Sequence, residues 1–368
     1  MAKLRFLGIA QAVSQVETIT LGGTWSAGET ATITINGKFV QYVVESGDAA
    51  ADVAAGLQAL ADASDEPEFQ ECTWTVVTTA ITATGTAGIP TTITVSEGSA
   101  SGTIATTTTT AATGPYHWDN SANWSTAAVP VNSDEVYIDL EEVEVRYGFP
   151  TGLTLAKFVM SAGSVGNADW NDSGYAEFRA RYLTVSSAIV TINGGTLVRV
   201  STESANTVVN SQASGVVDIK TDHASAAIYA LAGSVRVCPA DSDTGQASIV
   251  RCSPGASLEI GAGFTVATML VSGTCTIRGA VTTLTVEEDT TKLEGSATTV
   301  NLNGGIFSYE TASTITTVTQ TAGTFDCSAD IRGKTITTFN FNGGQLLNPH
   351  RIITFGTFTP GADTLMAS

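Results

Sequence analysis

The chain has 368 residues, and 16 Lys+Arg against 35 Asp+Glu give a formal net charge of −19. That balance disfavours nucleic acid and anionic membrane surfaces as partners, and no apolar run approaches the ~20 residues needed to span a bilayer. Fifty-eight threonines, 36 glycines and only 14% charged residues favour strands and turns over helices, while a hydrophobic share of 43% argues against disorder.

The first twelve residues, with Lys3 and Arg5 ahead of a short apolar stretch broken by Gln11, imitate a signal peptide but are too short for one. They read as part of an extended arm, residues 1–20, on a chain expected to be made in the cytoplasm. The arm alternates enough to add a strand to a neighbouring sheet through main-chain hydrogen bonds. Its apolar residues Leu4, Phe6, Leu7, Ile9, Val13 and Val16 are therefore candidate partner-binding residues.

Residues 21–105 read as a small α+β domain. Ala31–Ile35 and Lys38–Val44 flank Asn36-Gly37, a turn pair that accepts φ > 0 and so predicts a hairpin. A helix is expected over Ala49–Ala61, with Asp48 as its cap, Val53, Leu57 and Leu60 on one face, and Pro67 closing it. Strands follow at Thr73–Val77, Ile81–Thr84 and Thr91–Val95. The low-complexity stretch around Thr106–Thr113 marks a boundary, a linker or edge strand assigned to residues 106–115.

Residues 116–150 contain Trp118 and Trp124, then Pro130 and the alternating run Asp134–Leu140. Two tryptophans ahead of a strand suit a cap that closes the open end of a stacked β-structure. From 151 to 368 a Gly-containing turn recurs, as in Ser272-Gly273, Asn303-Gly304-Gly305, Ala322-Gly323 and Asn342-Gly343-Gly344, with Glu288-Asp289 as a degenerate copy. The mean period is 20 residues across Gly163–Gly343. In the C-terminal half Met269, Leu284, Val300, Val318 and Phe339 fall at one point of an alternating frame, spaced 15, 16, 18 and 21 residues apart, and would stack as an interior column. This predicts a parallel β-helix of nine or ten rungs, with a β-sandwich as the alternative. The fold class is thus mainly β, an antiparallel sheet with one helix followed by a solenoid.

Chemistry is sparse. The three histidines, His117, His223 and His350, form no recognised catalytic or metal-binding motif. The five cysteines, Cys72, Cys238, Cys252, Cys275 and Cys327, read as small core residues. Asp218 and Lys220 beside Asp222-His223 read as outward charges on a solvated strand. No catalytic set, metal or cofactor is expected. The insertion Asn167–Arg179 is the exception, because its aromatics and carboxylates suit a glycan-contacting loop. Asp169, Trp170, Asp172 and Tyr175 are its candidate residues, with a packing loop or subunit contact as the plainer alternative.

Two stretches carry a family resemblance. The block Gln11–Thr20, Thr32–Lys38 and the Ala-rich helix is similar to modules of tailed-phage and prophage structural proteins. Trp118, Asn123-Trp124-Ser125, Pro130 and Val136-Tyr137-Ile138 resemble the opening segment of β-helices in phage and bacterial surface proteins. The resemblance implies a non-enzymatic virion protein, foremost a head decoration or cement protein bound to the major capsid protein as a homotrimer on the capsid surface. A tail fibre or baseplate protein binding host surface glycan, a secreted adhesin and a polysaccharide depolymerase are the alternatives.

Overall fold

A computed structural model describes residues 2–98, 101–150, 152–165, 183–187, 189–192, 197–202, 208–211, 216–348 and 350–361. It holds two cores, one in an α+β domain and one running along a parallel solenoid.

In the α+β domain, strands Thr73–Val77, Ala80–Ala87, Ser14–Gly23 and Gly102–Thr110 form an antiparallel sheet. A second sheet holds Lys38–Val43, Thr30–Ile35 and Ile93–Gly98. Asn36 and Gly37, at φ 48° and 81°, make the expected hairpin turn. The helix Ala50–Asp62 buries Val53, Ala54, Leu57 and Ala61 against these sheets. Gly56 faces the Tyr42 ring so closely that a Cβ would collide with it, which explains a residue of poor helix propensity there.

Three local expectations need correction. Leu60 is 41% exposed, and Ala61 takes its place on the buried face. Asp52 caps the helix by accepting the Ala49 N–H at 2.9 Å, whereas Asp48 accepts the Glu45 N–H and the Tyr42 hydroxyl and so closes the preceding turn. Pro67 opens a second short helix, Pro67–Gln70, because proline needs no N–H at a first helical position. The threonine-rich stretch takes the edge-strand form of its two expected readings as far as Thr110, with Thr106 and Thr108 donating to the buried Glu17 carboxylate. The hydroxyls give that carboxylate the partners it needs.

The solenoid is built from two long parallel sheets, one of thirteen strands among the described residues. The β-sandwich alternative is excluded, since successive strands of each sheet pair in parallel. Met269, Leu284, Val300, Val318 and Phe339 are hydrogen-bonded neighbours in register and fully buried, forming the predicted column. Rung length varies without breaking it because insertions fall in the turns. One turn position needs a left-handed backbone in several rungs, filled by Gly305, Gly323 and Gly344 at φ 64°, 72° and 90°, and by Asp289 at φ 50°. Asp is one of the few side chains that tolerates this conformation, so the degenerate copy works.

Outward residues differ between the two flanks. On the first sheet, one column reads Thr268, Thr283, Thr299, Thr317, Thr338 and Thr357. The next reads Leu270, Thr285, Asn301, Thr319, Asn340 and Thr359. On the second sheet, Asp218, Arg236, Glu259, Thr276, Lys292, Ser308 and Asp326 stand in line. Asp218 is 1% exposed under a two-pronged contact from Arg236, at 2.7 and 2.9 Å, rather than solvated as expected. Arg278 meets Glu259, and Lys292 bridges Glu294 at 2.7 Å and Glu310 at 3.0 Å.

The five cysteines are free and buried, as predicted for core residues. Burial pushes the thiols of Cys72, Cys238 and Cys252 up to about 11 and that of Cys327 to about 12.

Candidate functional site at the N-terminal end of the solenoid

Lys3–Arg5 pairs in parallel with Glu135–Ile138, aligning Leu4 with Val136 and Arg5 with Tyr137. The start of the chain is therefore the first rung of the solenoid. Alternation explains the arrangement: Leu4 and Phe6 point inward at 2% and 0% exposure, while Lys3 and Arg5 point out. This corrects the reading of Leu4 and Phe6 as partner-binding residues, because their own chain consumes both side chains. Val16 is half-buried and pairs with Thr84 and Thr110 inside the α+β sheet. Leu7 is half-buried, whereas Ile9 and Val13 are 71% and 39% exposed and keep the expected accessibility.

The end of the rod is sealed by aromatics. Trp124 meets Phe6 edge-on at 5.0 Å between ring centroids and Trp118 at 4.7 Å, and its indole N–H donates to the Trp118 carbonyl at 2.7 Å. Asn123, with no exposed surface, ties the joint together. Its side-chain amide donates to the Gly114 and His117 carbonyls at 2.8 Å and accepts the Ala10 N–H at 2.8 Å, and its carbonyl accepts the Leu7 N–H. His117 is buried and its Nε2 lies 3.0 Å from the Gly88 carbonyl. The arm, the α+β domain and the cap are thereby clamped to one another. The three side-chain bonds of Asn123 are buried, and each such group left unpaired would cost about 1–3 kcal/mol.

Beside this seal lies a cavity of about 460 Å³ lined by Lys3, Leu4, Arg5, Leu7, Ser125 and Tyr137. Its polar rim is a mixed-charge ladder. Lys3 Nζ stands 3.8 Å from Glu135, the Tyr137 hydroxyl donates to Glu135 at 2.6 Å, and Arg5 Nε lies 2.9 Å from Asp139. Lys157 Nζ sits 5.9 Å from the Tyr137 ring centre. The Tyr137 hydroxyl, aided by Lys3 and Lys157, holds the Glu135 carboxyl below its usual range, and the same hydrogen bond raises Tyr137. Ser125 Oγ accepts the Arg5 N–H at 3.0 Å. The rim thus presents two partly exposed cations, each beside a carboxylate, with hydroxyls and an apolar floor.

The other expected sites do not converge here. Asp169, Trp170, Asp172 and Tyr175 lie outside the described residues. His223 Nδ1 accepts the Ser225 N–H at 3.1 Å and closes a turn. Among the described residues, no group of three or more His, Cys, Asp or Glu is placed to hold a metal ion. Sequence reasoning singled out the apolar half of the arm and passed over Lys3, Arg5, Ser125, Tyr137 and Asn123. The missed signal was the strict alternation Lys3-Leu4-Arg5-Phe6, which marks a one-sided strand. Neither a protein-family model nor a curated protein matches the chain.

Proposed function

We propose that the protein is a non-enzymatic structural component of a tailed-phage virion, a head decoration protein. Its N-terminal end would hold the major capsid protein and its solenoid would project as a rod. The observation that supports this reading is the cavity at one end of the rod, edged by exposed Lys3 and Arg5 and close to exposed Ile9 and Val13. Ile9, Val13, Leu7 and the cavity edged by Lys3 and Arg5 all belong to the clamped joint between the α+β domain and the first rung. Two cations are conspicuous in a chain of net charge −19. A rigid joint transmits load from an anchoring end to a rod, and a solenoid whose rungs contact only their neighbours supplies length without new chemistry. The sequence resemblance to phage structural modules supplies the context, and self-association into trimers belongs to the same reading.

Quantitative mass spectrometry of purified particles tests it. Hundreds of copies per particle, with attachment weakened by Arg5→Glu and Ile9→Asp, are the expected result. A few copies per particle would move the protein to the tail as a fibre or baseplate protein. Absence from particles would overturn the virion role.

A further inference from the structure

We infer that the threonine-lined flank of the solenoid is a contact surface for a second copy of this chain, the two rods packing side by side along it. From Thr268 to Thr359, neither of the two outward columns of this flank contains a charged residue over six consecutive rungs. Within the same strands, Thr282, Thr298, Thr316 and Thr337 extend this chemistry and are exposed. In a chain of net charge −19, two copies repel wherever their carboxylates face each other. The opposite flank carries such charges in Asp218, Glu259 and Asp326. The threonine flank is the long surface on which that repulsion is weakest.

Repeat distance identifies the occupant. Parallel rungs recur about every 4.8 Å, so the flank presents a methyl and a hydroxyl at that spacing. A partner must carry the same spacing to meet all rungs at once, and a second copy carries it by construction. Ladders of identical threonine and asparagine side chains interlock in this way between packed sheets. Six rungs and the width of one strand project to roughly 450 Å² per copy. Doubled, this is about 900 Å², the size of the weaker specific contacts.

This inference deepens the proposed function by naming where copies meet, and the two fail separately. Absence from particles removes the virion role, whereas an assembly indifferent to this flank removes the interface. The test is light scattering on the purified full chain. The wild type is expected at a multiple of 37.8 kDa. Thr299→Lys with Thr317→Lys should return it to the single-chain mass, while Thr276→Lys on the other flank leaves the assembly intact. Oxidative cross-linking gives a second readout, with Thr283→Cys, Thr299→Cys, Thr317→Cys and Thr338→Cys tested singly. The native cysteines are buried and contribute no background. At least one variant should give a disulfide-linked pair. A single-chain wild type, an assembly unmoved by the double lysine variant, or no cross-link at any of the four positions would overturn the inference.

Discussion

The two flanks of the solenoid share one interior and differ in what they show to solvent. The first presents threonine and asparagine in register; the second presents charges paired with opposite charges on the neighbouring rung, with Arg236 over Asp218 and Arg278 over Glu259. Parallel stacking places identical positions about 4.8 Å apart, so a like-charge column would repel at every step. Neutral residues avoid that conflict, and alternation of sign exploits it. The neutral flank has no charge to desolvate, and the charged flank pairs its groups between its own rungs. One strand pattern thus supports two faces of different electrostatics.

Five substitutions test that contrast. The interior shared by both flanks should matter most. Phe339→Ala empties a position packed against Phe325, Phe355 and Phe358, and chemical denaturation should show a loss of about 3–5 kcal/mol. Asp330→Asn should follow, at about 2 kcal/mol, because Lys334 is 2% exposed and donates to Asp330 at 2.7 Å and to the Thr311 carbonyl at 2.8 Å. The Arg332 guanidinium and Lys334 hold the Asp330 carboxyl well below its usual range. A depressed carboxylate contributes stability that is full above about pH 4 and disappears as pH falls through its lowered value. Wild-type stability should therefore drop below about pH 4 with a steeper slope than that of Asp330→Asn.

Arg236→Ala tests the charged flank directly. It strips a nearly buried Asp218 of its two-pronged partner and should cost about 2 kcal/mol, moderated because the Arg236 side chain is 37% exposed. Lys292→Ala removes an exposed bridge and should lose under about 1 kcal/mol, with the difference shrinking in high salt. Thr299→Val on the neutral flank should change the stability of the single chain by no more than about 0.5 kcal/mol. If it costs as much as Arg236→Ala, the division between the flanks does not hold.

Much of the solenoid was legible because its constraint is local and repeated. An inward column must be apolar in every rung, so Met269 through Phe339 announce themselves despite drifting intervals. The turn at Asp289 was legible because few residues accept its backbone. Long-range pairings were not. Nothing local distinguishes a free arm from a strand that completes a rung with Glu135–Ile138, and Leu4 reads the same in both cases. Leu60 failed for a related reason, since a helix wheel gives the apolar face only to within one residue. The N-terminal cavity was illegible because its wall joins residues 3–7 to Ser125 and Tyr137.

The pairing of the first strand with a segment 132 residues later sets a timetable for synthesis. At about 5–20 residues per second, Leu4 and Phe6 leave the ribosome roughly 7–26 seconds before Val136 can shelter them. A small domain that folds as a unit in that interval would bring both strands toward one another, as a jig for the rod's first layer. Chaperones would find their target in those opening residues, and a nascent chain stalled before Val136 should be the form most prone to aggregate.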